Sequence, residues 1–326
     1  MERQKYFFEI IKNKLAKNIR LADTICDILN ISSDSAYRRL RGEKELSLSE
    51  LSTLCSHFDI SMDSILNYNS DYSMFKYSPL DISNIDAYYN YMEHITALYE
   101  GLVSAEEKSI SATAQDILMF HFLPYTDLTF FKLYAWYQSS SVKYMAYNDF
   151  IKKLDRERLE GLYKRISNAY KQVPSLEIWS VNTIDAIISA IDYYYDMKCF
   201  EDNKFPNKIC AQLLQLIDDV NKQAEDGHKE YKGRKALFSM YLSPISLENN
   251  FIITNRDGNK AVSLKLYTIN GIFSSNAVFC SETEKWVKNL ISMSSNISGA
   301  SARERFLFFQ NMKNKVNNLM GKFNND

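Results

Sequence analysis

Apolar side chains recur every three or four residues along most of this chain, and the N-terminal part shows this pattern most clearly. The spacing predicts amphipathic helices over residues 3–17, 21–29 and 48–58, with a further short helix beginning at residues 61–66. The apolar stripes are Tyr6, Phe7, Ile10, Ile11 and Leu15; Leu21, Ala22, Ile25, Ile28 and Leu29; and Leu48, Leu51, Leu54, Cys55 and Phe58. Residues 1–70 are therefore predicted to form a small helical domain.

A shorter helix is predicted between the second and third stripes. Ser32 and Ser33 are both suited to cap its N-terminus, and Gly42 allows the chain to leave in a left-handed conformation. Ala36 and Leu40 are four residues apart and make one narrow apolar face. The other face carries Ser33, Asp34, Tyr37, Arg38 and Arg41.

The flanking signals indicate that this helix belongs to a helix-turn-helix. Asn30 tolerates the left-handed conformation that ends the preceding helix, and Ser47 with Glu50 forms a capping box at the start of the following one. Short polar groups at the helix N-terminus can reach base edges, and cations at its C-terminus can reach phosphates. A second interpretation stays open, in which these cations offset the helix dipole: Arg38, Arg39, Arg41 and Lys44.

Residues 20–66 resemble the lambda-repressor/Cro-like (XRE-type) five-helix DNA-binding fold. The sequence Tyr37-Arg38-Arg39-Leu40-Arg41-Gly42-Glu43, followed by Ser49-Glu50-Leu51 and Ile60-Ser61-Met62-Asp63, is similar to the variant called the BetR-type regulator domain. The resemblance implies that Asn30-Ile31-Ser32 is the turn of the motif. It further implies base contacts from Ser33 and Asp34, with Tyr37 and Arg38 one turn on, and phosphate contacts from Arg41 and Lys44. The candidate DNA-binding residues are Ser32, Ser33, Asp34, Tyr37, Arg38, Arg41 and Lys44.

The remainder of the chain is predicted to be mainly helical. Residues 71–80 interrupt the periodicity and form a linker, residues 81–247 form a helical body for dimerisation or effector sensing, and residues 248–326 form a small unit. This unit begins with an antiparallel β-hairpin around Asp257-Gly258, to which 271–273 and 277–279 add a possible strand, and ends with two helices. The predicted fold class is mainly α, with a five-helix N-terminal DNA-binding domain and one small β-hairpin unit near the C-terminus.

Aromatic residues are dense in the helical body, including Trp136, Trp179 and the run Tyr193-Tyr194-Tyr195. They are compatible with a pocket for an unknown small-molecule or peptide effector, but their helical spacing favours the filling of a large helical core. Within this body, residues 175–195 are predicted to form one helix.

Composition limits the classes of function. With 46% hydrophobic residues the chain can bury a core, and a net charge of −1 argues against a generally sticky nucleic-acid binder. Residues 1–70 carry as many acidic as basic side chains, so DNA binding must be local and a dimer on two half-sites is expected. The five scattered cysteines and the lack of an apolar run long enough to span a membrane predict a cytoplasmic protein.

The sequence carries no recognisable motif for catalysis, a metal or a cofactor. His57, His94, His121 and His228 are isolated, and the glycines form no phosphate-binding or nucleophile-elbow motif. We therefore expect no enzyme, no cofactor and no metal, but a homodimeric, sequence-specific transcriptional regulator that places residues Ser33–Arg41 in the major groove. The alternative is a protein-interaction adaptor whose helix-turn-helix no longer binds DNA and whose aromatic helical body binds a partner.

Overall fold

The computed structural model of the chain describes residues 2–15, 19–58, 60, 62, 65, 73–141, 144–202 and 204–325. The chain divides into two compact units, Met1–Met74 and Phe75–Asp326, which are called unit 1 and unit 2 below. The predicted linker, residues 71–80, contains this division, and its residues 71 and 72 lie outside the described part.

Unit 1 is helical throughout its described part. The helices are α1 (Glu2–Lys14), α2 (Leu21–Leu29), α3 (Ser33–Leu40) and α4 (Leu48–Phe58). Their inner faces meet in one core made of Phe7, Phe8, Ile11, Ile25, Ala36, Leu54, Cys55, Ile60 and Ile65. The small side chain of Ala36 is fully buried, so α3 contributes little bulk to this core and can lie close to its neighbours.

Three predictions for unit 1 differ from the structure or fall partly outside its described residues. Leu48, predicted as part of a buried stripe, is 74% exposed because it is the first residue of α4 and lies at the edge of the core. The first helix ends at Lys14, and residues 16–18 lie outside the described part. Most of the helix predicted at residues 61–66 also lies outside the described residues, so that prediction stays open.

Unit 2 is built on a large β-sheet. Its described strands are β1 (Lys76–Tyr77), β2 (Lys108–Ala114), β3 (Ser175–Trp179), β4 (His228–Tyr231), β5 (Arg234–Leu242), β6 (Phe251–Arg256), β7 (Asn259–Tyr267), β8 (Asn270–Ser274) and β9 (Ser295–Asn296). The strand order is β1-β8-β7-β6-β2-β3-β5-β4, and β9 pairs with β5. The pairs β2–β3 and β3–β5 are parallel, and the other pairs are antiparallel.

Helices cover both faces of this sheet. They are α5 (Ile85–Val103), α6 (Met119–Phe122), α7 (Thr126–Ser140), α8 (Tyr147–Ile151), α9 (Arg156–Tyr170), α10 (Asp185–Asp196), α11 (Phe205–Asp226), α12 (Ala277–Met293) and α13 (Ala302–Asn325). Successive side chains of β3 point to opposite faces, so Trp179 enters the larger core, whereas Ile178 enters a smaller core beside α12. The crossovers between parallel strands contain helices, as parallel pairing requires.

The prediction of a mainly α chain with only a small hairpin unit is wrong. The sheet draws strands from residues 76 to 296, so it runs through the body that was predicted to be helical. Strand β2 alternates polar Ser109, Ser111 and Thr113 with apolar Ile110, Ala112 and Ala114. Most of these side chains are small and the strand is largely buried, so the alternation is a weak signal beside the strongly helical segments around it. Residues Ser175–Trp179, predicted to begin a helix, form β3. At five residues the segment is too short for periodicity alone to separate a buried strand from a turn of helix.

The C-terminal hairpin is confirmed. Strands β6 and β7 pair from Arg256 with Asn259, and Asp257 and Gly258 both adopt the left-handed conformation of a tight two-residue turn, at φ 52° and 82°. The third strand is confirmed as β8, but residues 277–279, considered as part of it, begin α12 after the Asn276 cap.

A buried ion pair links the sheet to the helices. Glu177, in the centre of the sheet, has no exposed surface, and its carboxylate oxygens lie 3.0 and 2.9 Å from Nε2 of His121. The Trp179 indole donates to the same carboxylate at 2.7 Å, and the Tyr170 hydroxyl also donates to it. Burial raises the pKa of Glu177, but His121 and the hydrogen bonds from Tyr170 and Trp179 together outweigh burial, so the pKa lies below its ordinary value. His121, predicted to be isolated, is therefore a structural partner.

We expect Glu177→Ala to destabilise unit 2 by about 3–5 kcal/mol at pH 7, because it leaves His121 and two further donors buried without their acceptor. All three tryptophans of the chain, Trp136, Trp179 and Trp286, belong to unit 2, so their fluorescence in a urea titration reports this unit. The exposed Glu230→Ala is the control, with an expected change within about 0.5 kcal/mol.

The same pair has a pH signature. Because the folded-state pKa of Glu177 is depressed, its contribution is present above the unfolded value of about 4.3 and is lost as the pH falls through the folded value. The stability difference between the parent and Glu177→Ala should therefore shrink at acid pH. A difference that stays constant down to the acid transition would contradict the ion pair.

Candidate nucleic-acid interface

The ends of α3 are fixed by local hydrogen bonds. At the N-terminus, the Ser32 hydroxyl accepts the backbone N–H of Ser35 at 3.3 Å, which confirms Ser32 as the cap and places Ser33 inside the helix. At the C-terminus, the N–H of Gly42 donates to Arg39 and that of Glu43 to Arg38, at 3.0 and 2.8 Å. This is a Schellman cap, and the φ of Gly42 is +79°, which glycine adopts without strain.

The turn between α2 and α3 is equally defined. Asn30 has φ 50° and ψ 52°, the left-handed conformation predicted for it. The N–H groups of Asn30 and Ile31 both donate to the carbonyl of Cys26. The end of α2 is therefore closed by backbone bonds and the start of α3 by the Ser32 side chain, so the turn is defined within residues 26–35.

Arg39 anchors α3 to α4 from inside the unit. Its side chain is buried, and its Nε and Nη2 donate to the two carboxylate oxygens of Glu50 at 3.2 and 2.5 Å. Its Nη1 donates to both the carbonyl and the hydroxyl of Ser35, at 2.9 and 3.0 Å. Glu50 in turn closes the capping box of α4 by accepting the N–H of Ser47 at 3.0 Å. One carboxylate therefore serves two helices.

Gln4 holds the segment that follows α3. Its amide nitrogen donates to the carbonyls of Arg39 and Lys44 at 2.8 and 2.9 Å, and its amide oxygen accepts the N–H of Leu46 at 2.9 Å. Helix α1 thereby fixes the path of the chain from the end of α3 to the start of α4. Gln4 therefore ties the end of α3 and the loop after it to α1 through three hydrogen bonds.

The outward face of α3 carries the predicted contact residues. The exposed side chains are Ser32, Ser33, Asp34, Tyr37, Arg38, Arg41 and Lys44. All seven lie within 13 consecutive residues on and just after the helix that Arg39 anchors. The structure brings them together on the surface of unit 1, and their contact with DNA stays a prediction. Arg39, counted in the sequence among the cations near the helix C-terminus, is a buried structural residue instead.

Not all of the remaining cations are free. Arg41 donates from Nε and Nη2 to the carboxylate of Glu43 at 2.6 and 3.1 Å, and Arg38 lies 4.0 Å from the same carboxylate. The hydrogen bond from Arg41 lowers the pKa of Glu43, and the bond in turn raises the pKa of Arg41. The cationic end of α3 is therefore less positive than a count of its Arg and Lys residues indicates.

Sequence reasoning missed Arg39, Gln4 and the second role of Glu50. The capping box with Ser47 was visible, and an Arg at position 39 facing the same side as Ala36 was a usable signal, because residues three apart share a helix face. A cation on the apolar side of a short helix requires a buried carboxylate nearby. Gln4 gave no comparable signal, since its acceptors are backbone groups about forty residues away.

Comparison with known proteins supports the interpretation of unit 1 as a helix-turn-helix domain. Residues 11–144 match the BetR domain family, a family of helix-turn-helix-type DNA-binding domains. The match fits a DNA-binding regulator in general terms and extends past unit 1 to include β1, α5, β2, α6 and α7. No curated protein matches the chain, and no solved structure matches it.

Two features are absent from the described residues. No helix there has both the length and the apolar character that crossing a bilayer requires. The same residues bring together no group of three or more His, Cys, Asp or Glu side chains able to hold a metal ion.

We expect Glu50→Ala to destabilise unit 1 by about 3–5 kcal/mol, because it leaves the buried Arg39 guanidinium without a carboxylate and removes half of a capping box. Amide hydrogen exchange in α3 is the measurement, since unit 1 contains no tryptophan. Glu45→Ala, which removes an exposed carboxylate five residues away, should leave exchange within a few-fold of the parent. Similar protection in the two variants would show that Arg39 does not depend on Glu50.

Proposed function

We propose that this protein is a sequence-specific transcriptional regulator of the lambda-repressor-like (XRE-type) class, which inserts α3 into the major groove of DNA. The observation that carries the proposal is the contrast within α3. Its inner side is fixed by Ala36 and the Arg39–Glu50 pair, whereas its outer side presents polar and cationic groups to solvent. The match to a family of DNA-binding domains supports it.

The proposed contacts follow from position along the helix. Ser33 and Asp34 lie in the first turn, where short side chains meet base edges, and Asp34 can accept from the amino group of a cytosine. Tyr37 and Arg38 lie one turn later, and a guanidinium there can bind the O6 and N7 atoms of a guanine. Arg41 and Lys44, beyond the helix, are placed to contact phosphates and fix the register.

A homodimer is part of the proposal. Unit 1 has no net positive charge from its Lys, Arg, Asp and Glu side chains, so a single copy should bind DNA weakly. Two copies on half-sites one helical turn apart would combine their contacts. We assign dimerisation, and the sensing of an unidentified small-molecule or peptide effector, to unit 2. We infer that the protein works in the cytoplasm and is not an enzyme.

One observation favours a second candidate function. Glu50 takes Arg39 out of the exposed surface, and Glu43 partly neutralises Arg41 and Arg38. A helix-turn-helix with so few free cations is compatible with an adaptor that has lost DNA affinity and binds a protein partner through unit 2. Such an adaptor would bind its partner specifically and cause no DNA mobility shift even at low salt.

The roles of Arg38 and Lys44 separate base contacts from phosphate contacts. Arg38→Ala should weaken binding to the preferred sequence by about 1–3 kcal/mol and binding to random duplex much less. Lys44→Ala should weaken both by the same factor and reduce the slope of log K against log salt by about 1. Fluorescence anisotropy with both duplexes at several salt concentrations measures these quantities.

Glu45→Ala is a suitable control, because Glu45 is exposed in the same loop and has no assigned contact with DNA. It should leave the preference for the selected sequence unchanged. If Arg38→Ala and Lys44→Ala both bound like the parent protein, α3 would not be the groove-binding helix.

A further inference from the structure

Glu43 is positioned by the cap of α3 and not by chance contact. Its N–H donates to the Arg38 carbonyl at 2.8 Å, and the left-handed Gly42 before it turns the chain back toward the helix. The Glu43 carboxylate then reaches the guanidinium of Arg41 in a two-bond contact at 2.6 and 3.1 Å and comes within 4.0 Å of Nε of Arg38.

The contact between the Glu43 carboxylate and the Arg41 guanidinium resembles the contact that a DNA phosphate makes with an arginine. A carboxylate and a phosphate both accept two parallel N–H bonds from one guanidinium, so they use the same donors. In Arg41 those donors are Nε and Nη2, and both are bound to Glu43. A phosphate that binds Arg41 through this edge must therefore displace the carboxylate.

We infer that Glu43 is an internal competitor for the DNA backbone, which lowers the affinity of α3 for all DNA by occupying Arg41 until a phosphate replaces it. The inference rests on the proposed function, because it names a device that regulates the same surface. Arg41, Glu43 and Arg38 are exposed, and exposed ion pairs are weak enough for a polyanion to displace.

The consequence for binding is independent of sequence. The electrostatic part of DNA affinity comes from phosphates and is the same for every duplex. Removal of the Glu43 charge should therefore raise affinity for the preferred and the random duplex by the same factor. Glu43 then reduces the fraction of protein held on non-specific DNA without a change in the ratio between the two affinities.

Glu43 also affects the salt dependence. When a phosphate replaces Glu43 on Arg41, the carboxylate that is set free attracts a cation from solution, which offsets part of the counterion release from DNA. Without this carboxylate, the net release grows, and the plot of log K against log salt should be steeper by up to about 1.

The test compares full-length parent, Glu43→Gln and Glu45→Gln by fluorescence anisotropy, on a selected duplex and on a random duplex from 50 to 300 mM salt. Glu45→Gln makes the same charge change two residues away at an exposed position with no ion pair to Arg41. We expect Glu43→Gln to bind both duplexes about three- to tenfold more tightly at 100 mM salt, and Glu45→Gln to bind less than twofold more tightly.

A double-mutant cycle assigns the effect to the pair. In the Arg41→Gln background, the gain from Glu43→Gln should fall to less than half of its value in the parent, because the competed donors are gone. The free protein offers a readout without DNA: carbon-detected NMR titration should give Glu43 a depressed pKa in the parent and a higher one in Arg41→Gln.

Each outcome of these experiments either supports or overturns the competition between Glu43 and phosphate. Equal effects of Glu43→Gln and Glu45→Gln, or a gain confined to the selected duplex, would overturn the inference while leaving DNA binding intact. If neither the parent nor Glu43→Gln bound any duplex at 50 mM salt, both the inference and the proposed function would fail. Binding by Glu43→Gln alone would support the competition in its strongest form.

Discussion

A guanidinium buried inside a small helical domain must have a carboxylate beside it, and in unit 1 the pair is Arg39 and Glu50. The pair fixes α3 against α4, and the same carboxylate caps α4 through Ser47. Because α3 is only two turns long, it cannot hold its own position by intrinsic helix stability. The rest of the candidate interface depends on this pair, because the exposed residues of α3 keep a common orientation only while Arg39 and Glu50 hold the helix against α4.

The acidic residues of unit 1 neutralise part of its positive charge. Residues 1–70 carry as many acidic as basic side chains, and two of these acidic residues are committed to the cations of α3 and the turn after it. One commitment is structural, at Glu50 beside the buried Arg39, whereas the other is exposed and exchangeable, at Glu43. A protein arranged in this way would recognise DNA through the few groups that reach bases, with a weak general attraction to phosphates.

Local signals predicted the candidate interface better than the fold of unit 2. The Ser32 cap, the left-handed Asn30 and the Gly42 exit are properties of single residues and their neighbours, so they are visible in sequence. The Asp257-Gly258 hairpin was visible for the same reason. Strands β2 and β3 pair with partners more than sixty residues away and are short and largely buried, so the alternation in each is only a weak signal in sequence. Strand β5 did offer a signal, since Ala236, Phe238 and Met240 alternate with polar or exposed positions after Gly233.

The most direct test of the account is the selection of bound sequences from a random duplex library by the full-length protein at about 100 mM salt, where specific binders show roughly 10³-fold preference or more. The account predicts one enriched motif, arranged as an inverted repeat with half-sites about one helical turn apart. No enrichment by a protein whose circular dichroism shows the expected helix and sheet would contradict it.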